Sequence, residues 1–499
     1  MLFCFKYNDD FRLYVWRIME SRIIDYIIII AYLIGVALIG IVSGGKQRTL
    51  KDYFLGAENI PWWVICFSIV AAETSSLTFI SVPGIAYLTN INFLQLAFGF
   101  LLGRILVAFL FLPAYFKGEL ETAYKYLEHR FGKSTRSFAS VIFLFTRIAA
   151  DGVRLFATAI PLYLLLNINP VYAIIIVAVI SLIYTYTGGI KGVIWVDFVQ
   201  FCIYLGGALI AIVYLISLLP DGLSSFIATP GIESKLSLIN LGSILNPREF
   251  FLEPYTLLSG LIGGMFLSMA SHGTDQLIVQ RLLAAKEIGK AKKAVIGSGV
   301  LIILQFAVFL LVGLLLYSFY GPLNIKGDEI FSKFIIENLP QGISGIIIAG
   351  LLAAAMSTLA GSMSSLTSSA MLDIVLPVLN RNYDERKKLL VSRIITIISA
   401  GLLTISALLF IDSSTAVVEI ALSIASFTYG GLLGTFLLGL INKKANQRGA
   451  LLGFAFGIGF MIFVITSELV AWTWFTFIGV LVTILAGSVF SLFKSGSNK

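Results

Sequence analysis

The chain has 499 residues, 58% of them hydrophobic and 12% charged, with a mean hydropathy of +0.95 and a formal net charge of +8. This composition lies far above that of a soluble domain and calls for a polytopic membrane protein. Cys4, Cys66 and Cys202 make no CxxC and no disulfide framework, two histidines exclude a His-rich metal centre, and Walker A, GxGxxG, HExxH and GxSxG patterns are absent.

Met1 to Arg22 contains Asp9 and Asp10 and lacks the apolar core and small-residue cleavage site of a signal peptide. Met19, just ahead of the first hydrophobic run, is the expected translation start, and residues 1–22 are read as an extracytoplasmic tail. Thirteen spans follow. The leading one covers 23–43. Ten more lie near 62–87, 93–116, 137–166, 169–187, 193–219, 256–280, 294–320, 343–372, 389–411 and 416–441, and two last ones near 449–469 and 471–493. A short tail, 494–499, closes the chain.

Lysine and arginine set the orientation. Alternate loops are basic: Lys46, Arg48 and Lys51; Lys117, Lys125, Arg130, Lys133 and Arg136; Lys191; Arg281, Lys286, Lys290, Lys292 and Lys293; Arg381, Arg386, Lys387 and Lys388; then Lys443, Lys444 and Arg448, with Lys494 and Lys499 in the tail. The opposite face has only Lys6, Arg12, Arg17, Arg22, Lys235, Arg248, Lys326 and Lys333. The positive charge therefore marks a cytoplasmic face, not a nucleic-acid patch. The N-terminus is expected outside and the C-terminus inside a plasma membrane, which is the inner membrane if the source is bacterial.

A charge at mid-bilayer costs about 2.5–3.5 kcal/mol, so each one is a functional candidate. Glu73 lies in the span 62–87, Arg104 in the next, and Arg147, Asp151 and Arg154 in 137–166. Asp197 lies in 193–219, His272 and Asp275 in 256–280, and Glu419 near an outer end. Arg104 and Arg147 are read as structural. Asp151 and Arg154, three residues apart on one helix face, form either a structural pair or a seat in which Arg154 receives a substrate carboxylate. Asp275 is read as solvated at the inner end of its span.

Two spans read as broken. Glu73, Thr74, Ser75 and Ser76 interrupt one, with Pro83-Gly84 beyond, and Ser271-His272-Gly273-Thr274 interrupts the other. Broken helices in corresponding positions of two halves point to a transporter site. Each opens a block of five spans, 62–219 and 256–441, and an odd number of spans gives the two blocks opposite topology. The span 343–372 adds a stripe in which Ser357, Gly361 and Ser364 recur at helical spacing. It is either a close-packing face or an oxygen-lined site for Na+ at Ser357 and Thr358.

The blocks YLEHRFG (126–132), YTYTGGIKGVIWVDFVQ (184–200), TDQLIVQR (274–281), AAAMSTLAGSMSS (353–365) and YGGLLGTFLLGL (429–440) resemble, in order and spacing, the sodium/solute symporter family. The resemblance implies an all-α leucine-transporter fold with inverted five-helix repeats, alternating access, and Na+ as coupling ion with no other cofactor. It also implies a sodium site at the carbonyls of Ala71, Thr74 and Ala354 and the hydroxyls of Ser357 and Thr358. The turn in which some members place hydroxyls for a second sodium reads Ala360-Gly361 here, so Asp197 is assigned to sodium release. A substrate pocket is expected around Glu73, Ser75, Ser76, Arg154, His272, Gln305 and Ser426. The expected partners are a small organic solute, Na+ and the lipid bilayer, with no nucleic acid and no obligate protein. The expected function is sodium-coupled import of a small, carboxylate-bearing solute, not an enzyme's reaction. The alternatives are a sodium-coupled sugar or polyol symporter and a proton-coupled symporter using Glu73 or His272.

Overall fold

The computed structural model describes residues 22–56, 60–118, 120–166, 168–243, 245–379, 384–410 and 417–493, without the side chains of 77, 160–161, 163–166, 379 and 417–427. The expectations for the N-terminal tail with Met19, the tail 494–499 and the side chains of Glu419 and Ser426 lie outside the described residues.

Helices account for nearly all of the fold. In chain order they are α1 (Ile23–Gly44), α2 (Leu50–Leu55), α3 (Trp62–Glu73), α4 (Ser76–Leu88), α5 (Leu94–Lys117), α6 (Ala123–Phe131), α7 (Lys133–Leu166) and α8 (Pro170–Leu218). Then come α9 (Gly264–Gly273), α10 (Gln276–Leu283), α11 (Ile288–Tyr320), α12 (Gly327–Glu337), α13 (Ile343–Ser369), α14 (Glu385–Leu409), α15 (Val417–Ile441), α16 (Gln447–Ser467) and α17 (Phe475–Leu492).

Among the described residues eight helices are long and apolar enough to cross a membrane, or nine if the bent pair α3–α4 counts as one span. The expected thirteen are not reached on this measure, for identifiable reasons. α8 is a single 49-residue run, about 74 Å at 1.5 Å per residue, against a hydrocarbon core of about 30 Å. It breaks at Gly189, whose φ of 56° suits glycine. The charges of α7 lower its hydropathy, α9 and α10 are separated at Thr274-Asp275, and only part of α15 has described side chains.

Both expected breaks are present. α3 and α4 meet at Thr74 and Ser75, which are extended, and the two axes are bent by 68°. α9 ends at Gly273, and Asp275 caps α10 by accepting from the Leu277 N–H at 2.9 Å. α13 is buried along almost its whole length and packs against α8 and α1. Its alanines, glycines and serines allow this close approach.

Candidate functional site

α13 faces the break between α3 and α4. The Thr358 hydroxyl lies 3.2 Å from the Ala72 carbonyl, 3.2 Å from the Thr74 carbonyl and 3.4 Å from that of Ala354. Ending α3 at Glu73 deprives its last carbonyls of their i+4 partners. Four oxygens thus converge, the hard neutral ligand set of an alkali cation. The carbonyl that the Thr358 hydroxyl reaches in the last turn of α3 is that of Ala72, next to the expected Ala71.

Ser357, one residue before, turns to the other side. Its hydroxyl donates to Asp197 Oδ1 at 2.6 Å, and Ser68 donates to Oδ2, also at 2.6 Å. Arg281 completes the cluster, with Nη2 2.9 Å from Asp197 and Nε 2.9 Å from Ser68 Oγ. Arg281 is therefore not a solvated residue of an inner loop, as its place among the basic runs suggested. It is fully buried, because the carboxylate that neutralises it lies in α8. Its guanidinium occupies the space that a side chain at position 361 would need, since a Cβ on Gly361 would lie 2.7 Å from Nη2.

The substrate candidates fall into linked groups. Glu73 accepts from Arg104 Nη2 and lies 3.7 Å from His272 Nε2, while Arg104 Nη1 donates to Ser298 at 2.8 Å. His272 Nδ1 lies 2.8 Å from the Ser271 hydroxyl. Gln305 is buried and bonds Tyr204 at 2.6 Å and Thr74 at 2.9 Å, so it supports the break from behind. The Ser76 hydroxyl lies 3.3 Å from Thr158, and Thr158 donates to the carbonyl of Arg154, which links α4 to α7. Ser75 is buried at the break itself.

Arg154 belongs to an array of alternating charge. Its Nη1 donates to Asp151 at 2.8 Å, and Asp151 also accepts from Arg147 at 3.2 Å and from Ser362 of α13. Arg147 continues to Asp275, which accepts from Tyr429 at 2.9 Å. Asp275 is therefore buried, not solvated, because Arg147 reaches it from α7. The array borders a cleft lined by Thr146, Arg147, Ala150, Arg154, Asp275, Thr428 and Tyr429. Arg154 is its most exposed charge, with a quarter of the side chain accessible.

Sequence reasoning missed Ser68, Thr158, Tyr204, Tyr429 and the buried role of Arg281. A hydroxyl or an aromatic on an apolar span carries no signal of which distant carboxylate or amide it will meet.

A model of the sodium:solute symporter family matches residues 53–457. The sodium/sialic acid symporter NanT of Aliivibrio fischeri is 29% identical over 487 residues, covering 95% of this chain and 94% of the relative. SiaT of Proteus mirabilis, also a sodium/sialic acid symporter, is 27% identical, with 88% of each chain covered. The human sodium-coupled monocarboxylate transporter 1 is 28% identical over 88% of this chain and 73% of its own. Among solved structures, the substrate-bound outward-open state of a Na+-coupled sialic acid symporter superimposes with a TM-score of 0.84 at 26% identity, covering 95% of this chain and 98% of that one. The nucleobase-cation-symport-1 family transporter MHP1, at 12% identity and a TM-score of 0.54, shares the fold.

Proposed function

The chain belongs to the sodium:solute symporter family, as a sodium-coupled secondary transporter of a small organic solute that works by alternating access, and we propose that its solute carries a carboxylate received at Arg154. The observation that carries this reading is the partly exposed guanidinium of Arg154, held by Asp151 through one nitrogen while the remainder borders the cleft. A guanidinium so held is pre-organised for a carboxylate. The sialic acids and monocarboxylates named for its relatives are carboxylates too.

The proposed sodium ligands are the oxygens around Thr358, with Ser357, Thr74, Ala354 and the carbonyl pair Ala71-Ala72. Thr358 and Ser362 lie one turn apart on α13, and Ser362 holds the Asp151 that holds Arg154. The array has two arginines and two aspartates, so a bound carboxylate adds one negative charge. A Na+ about 10 Å away offsets it by about 1.7 kcal/mol at an effective dielectric of 20. Each ligand then favours the state that binds the other, which is the requirement for coupling. Glu73, Ser75, Ser76, His272 and Ser426 complete the proposed pocket wall, with Gln305 behind it. Asp197 lies on the proposed sodium path to the cytoplasm.

The same reading has thirteen crossings, with α8 crossing twice and α7, the α9–α10 pair and α15 each crossing once. The N-terminus lies outside and the C-terminus in the cytoplasm.

The test is uptake into proteoliposomes of labelled N-acetylneuraminate, lactate, proline and glucose, each in outside NaCl or choline chloride. Uptake of a carboxylate in sodium alone, reduced at least tenfold by Arg154→Gln, supports the reading. Sodium-driven uptake of glucose unaffected by Arg154→Gln replaces it with the sugar alternative. Uptake driven by a pH gradient in choline replaces it with the proton-coupled one.

A further inference from the structure

α13 bears the Thr358 and Ser357 hydroxyls in its second part, where small residues predominate. From Ala353 to Ser369 the large side chains are Met356, Leu359, Met363 and Leu366, and alanine, glycine, serine and threonine make up the rest, so this part has few ridges to lock into neighbouring grooves. The first turn of α13 begins at Gly342, which has no side chain to cap the free N–H groups. The cap comes from elsewhere. Asp25 of α1 is fully buried and accepts from the Gly342 N–H at 2.7 Å, the Gly345 N–H at 3.0 Å and the Ser344 hydroxyl at 2.6 Å. The approach is close enough that a Cβ on Gly345 would lie 2.8 Å from the Cα of Asp25.

The far end is held in the same manner. Asp373, just past α13, accepts from Thr122 at 2.6 Å, Arg136 at 2.8 Å and Ser369 at 3.2 Å. Between these two anchors α1 touches the helix once more. Its Tyr32 hydroxyl lies 3.8 Å from the sulfur of Met356 and accepts from Gln200 at 3.0 Å, while Tyr184 donates to the Met356 carbonyl at 3.1 Å. Met356 immediately precedes the two hydroxyl residues.

We propose that Asp25 is a positioning residue for sodium binding: by capping α13 from the leading helix it sets the axial register that brings the Thr358 hydroxyl to the carbonyls of Ala72 and Thr74. The proposal rests on the sodium reading given above. Thr358 lies fifteen residues into α13, about 22 Å from the capped end. A helix transmits an axial slip along its length, because its own backbone bonds are stiffer than its packing. A slip of 1 Å at Asp25 is thus felt at Thr358, where the contacts are 3.2 Å. The leading helix becomes part of the transport machinery, not only a lipid-facing addition.

The experiment uses the full chain in proteoliposomes and in detergent, comparing wild type with Asp25→Asn, Asp25→Glu, Ser344→Ala and Tyr32→Phe. Half-saturating sodium is read from uptake, and sodium-dependent stabilisation from thermal unfolding in NaCl against choline chloride. Asp25→Asn is expected to raise half-saturating sodium about fivefold, the ratio that loss of a typical cap corresponds to. Maximal uptake per folded transporter is expected within about twofold of wild type, and Asp25→Glu to restore part of the affinity. Ser344→Ala, which removes one of the three bonds from the start of α13, is expected to give a smaller shift in the same direction, and it carries the test if Asp25→Asn does not fold. An unfolding temperature lowered equally in both salts, with half-saturating sodium unchanged in Asp25→Asn and Ser344→Ala, would overturn the proposal and leave Asp25 as a structural cap. A wild-type protein indifferent to sodium in both measurements would overturn the sodium reading itself, and this proposal with it.

Discussion

The hydroxyl of Thr358 and the carbonyl of Thr74 are 3.2 Å apart across the junction of α13 with the α3–α4 break. Each belongs to a different half of the chain, so an ion bound between them would join the halves. Replacing Thr358 by alanine removes the hydroxyl together with one methyl group. It is expected to raise half-saturating sodium at least tenfold, a loss of about 1.4 kcal/mol, while Thr358→Ser keeps sodium affinity within about threefold. Adding Ser357→Ala is expected to abolish sodium-dependent stabilisation in thermal unfolding. Unchanged sodium dependence in the double variant would remove Thr358 and Ser357 from the site.

The Asp197–Arg281 pair adjoins the proposed sodium site without access to water. Removing one member leaves a buried, uncompensated charge, which costs about 3–5 kcal/mol. Asp197→Asn and Arg281→Met are each expected to lower stability by about that amount. The double variant is expected to be more stable than the sum of the two predicts, and a double-mutant cycle by chemical or thermal unfolding measures the difference. Gly361→Ala is expected to weaken the same pair, because its Cβ would press on a guanidinium that Asp197 and Ser68 already hold.

Local features of this architecture were legible in the sequence, and long-range pairings were not. A polar run inside an apolar span announced the breaks at Thr74-Ser75 and Thr274-Asp275, and a small-residue stripe announced the buried α13. In each case the signal lies within a few residues of the feature. Arg281 reads as a loop residue because it follows a polar break and precedes a lysine run, and its partner is 84 positions away. Asp25 carries no signal in the sequence, because a carboxylate near the end of a hydrophobic run is normally solvated. Apart from Arg22, 3.4 Å away in the preceding turn, its partners begin 317 residues later. Asp275 reads as solvated for the same reason, since nothing in its own span signals that Arg147 of α7 reaches it.

At the foot of α13, Arg136 bridges Asp373 to Glu128 of α6, and Lys125 adds a second cation 2.8 Å from Glu128. Burial alone would raise the Glu128 carboxyl, but the Lys125 and Arg136 bonds outweigh it and hold the group below the usual carboxylate range. A depressed folded-state pKa contributes stability that is present above the unfolded value, about 4.3, and is lost as pH falls through the folded value. The unfolding temperature is therefore expected to drop below about pH 4.3, and less steeply in Glu128→Gln than in wild type. Parallel pH profiles for the two proteins would show that Glu128 contributes nothing to this fastening.

α4 is the second half of the broken pair, and glycines fix its distance from its neighbours. A Cβ on Gly313 of α11 would lie 2.0 Å from the Pro83 carbonyl, and one on Gly84 would lie 2.3 Å from the Gly327 carbonyl of α12. These obstacles are backbone atoms, which cannot rotate aside, so α4 itself must shift. Gly313→Ala and Gly84→Ala are each expected to destabilise the protein by about 1–3 kcal/mol. Because α4 starts at Ser76, beside the Thr158 contact to α7, they are also expected to reduce uptake at saturating sodium. Gly35 of α1 is the control, since nothing lies within 4 Å of a Cβ placed there. Gly35→Ala is expected to be neutral or to stabilise by up to about 1 kcal/mol through helix propensity. Thermal unfolding and uptake of the three variants test the contrast. Equal behaviour of Gly35→Ala and Gly313→Ala would mean that α4 is free to move away from α11 without cost, and that its position does not depend on the glycine contacts.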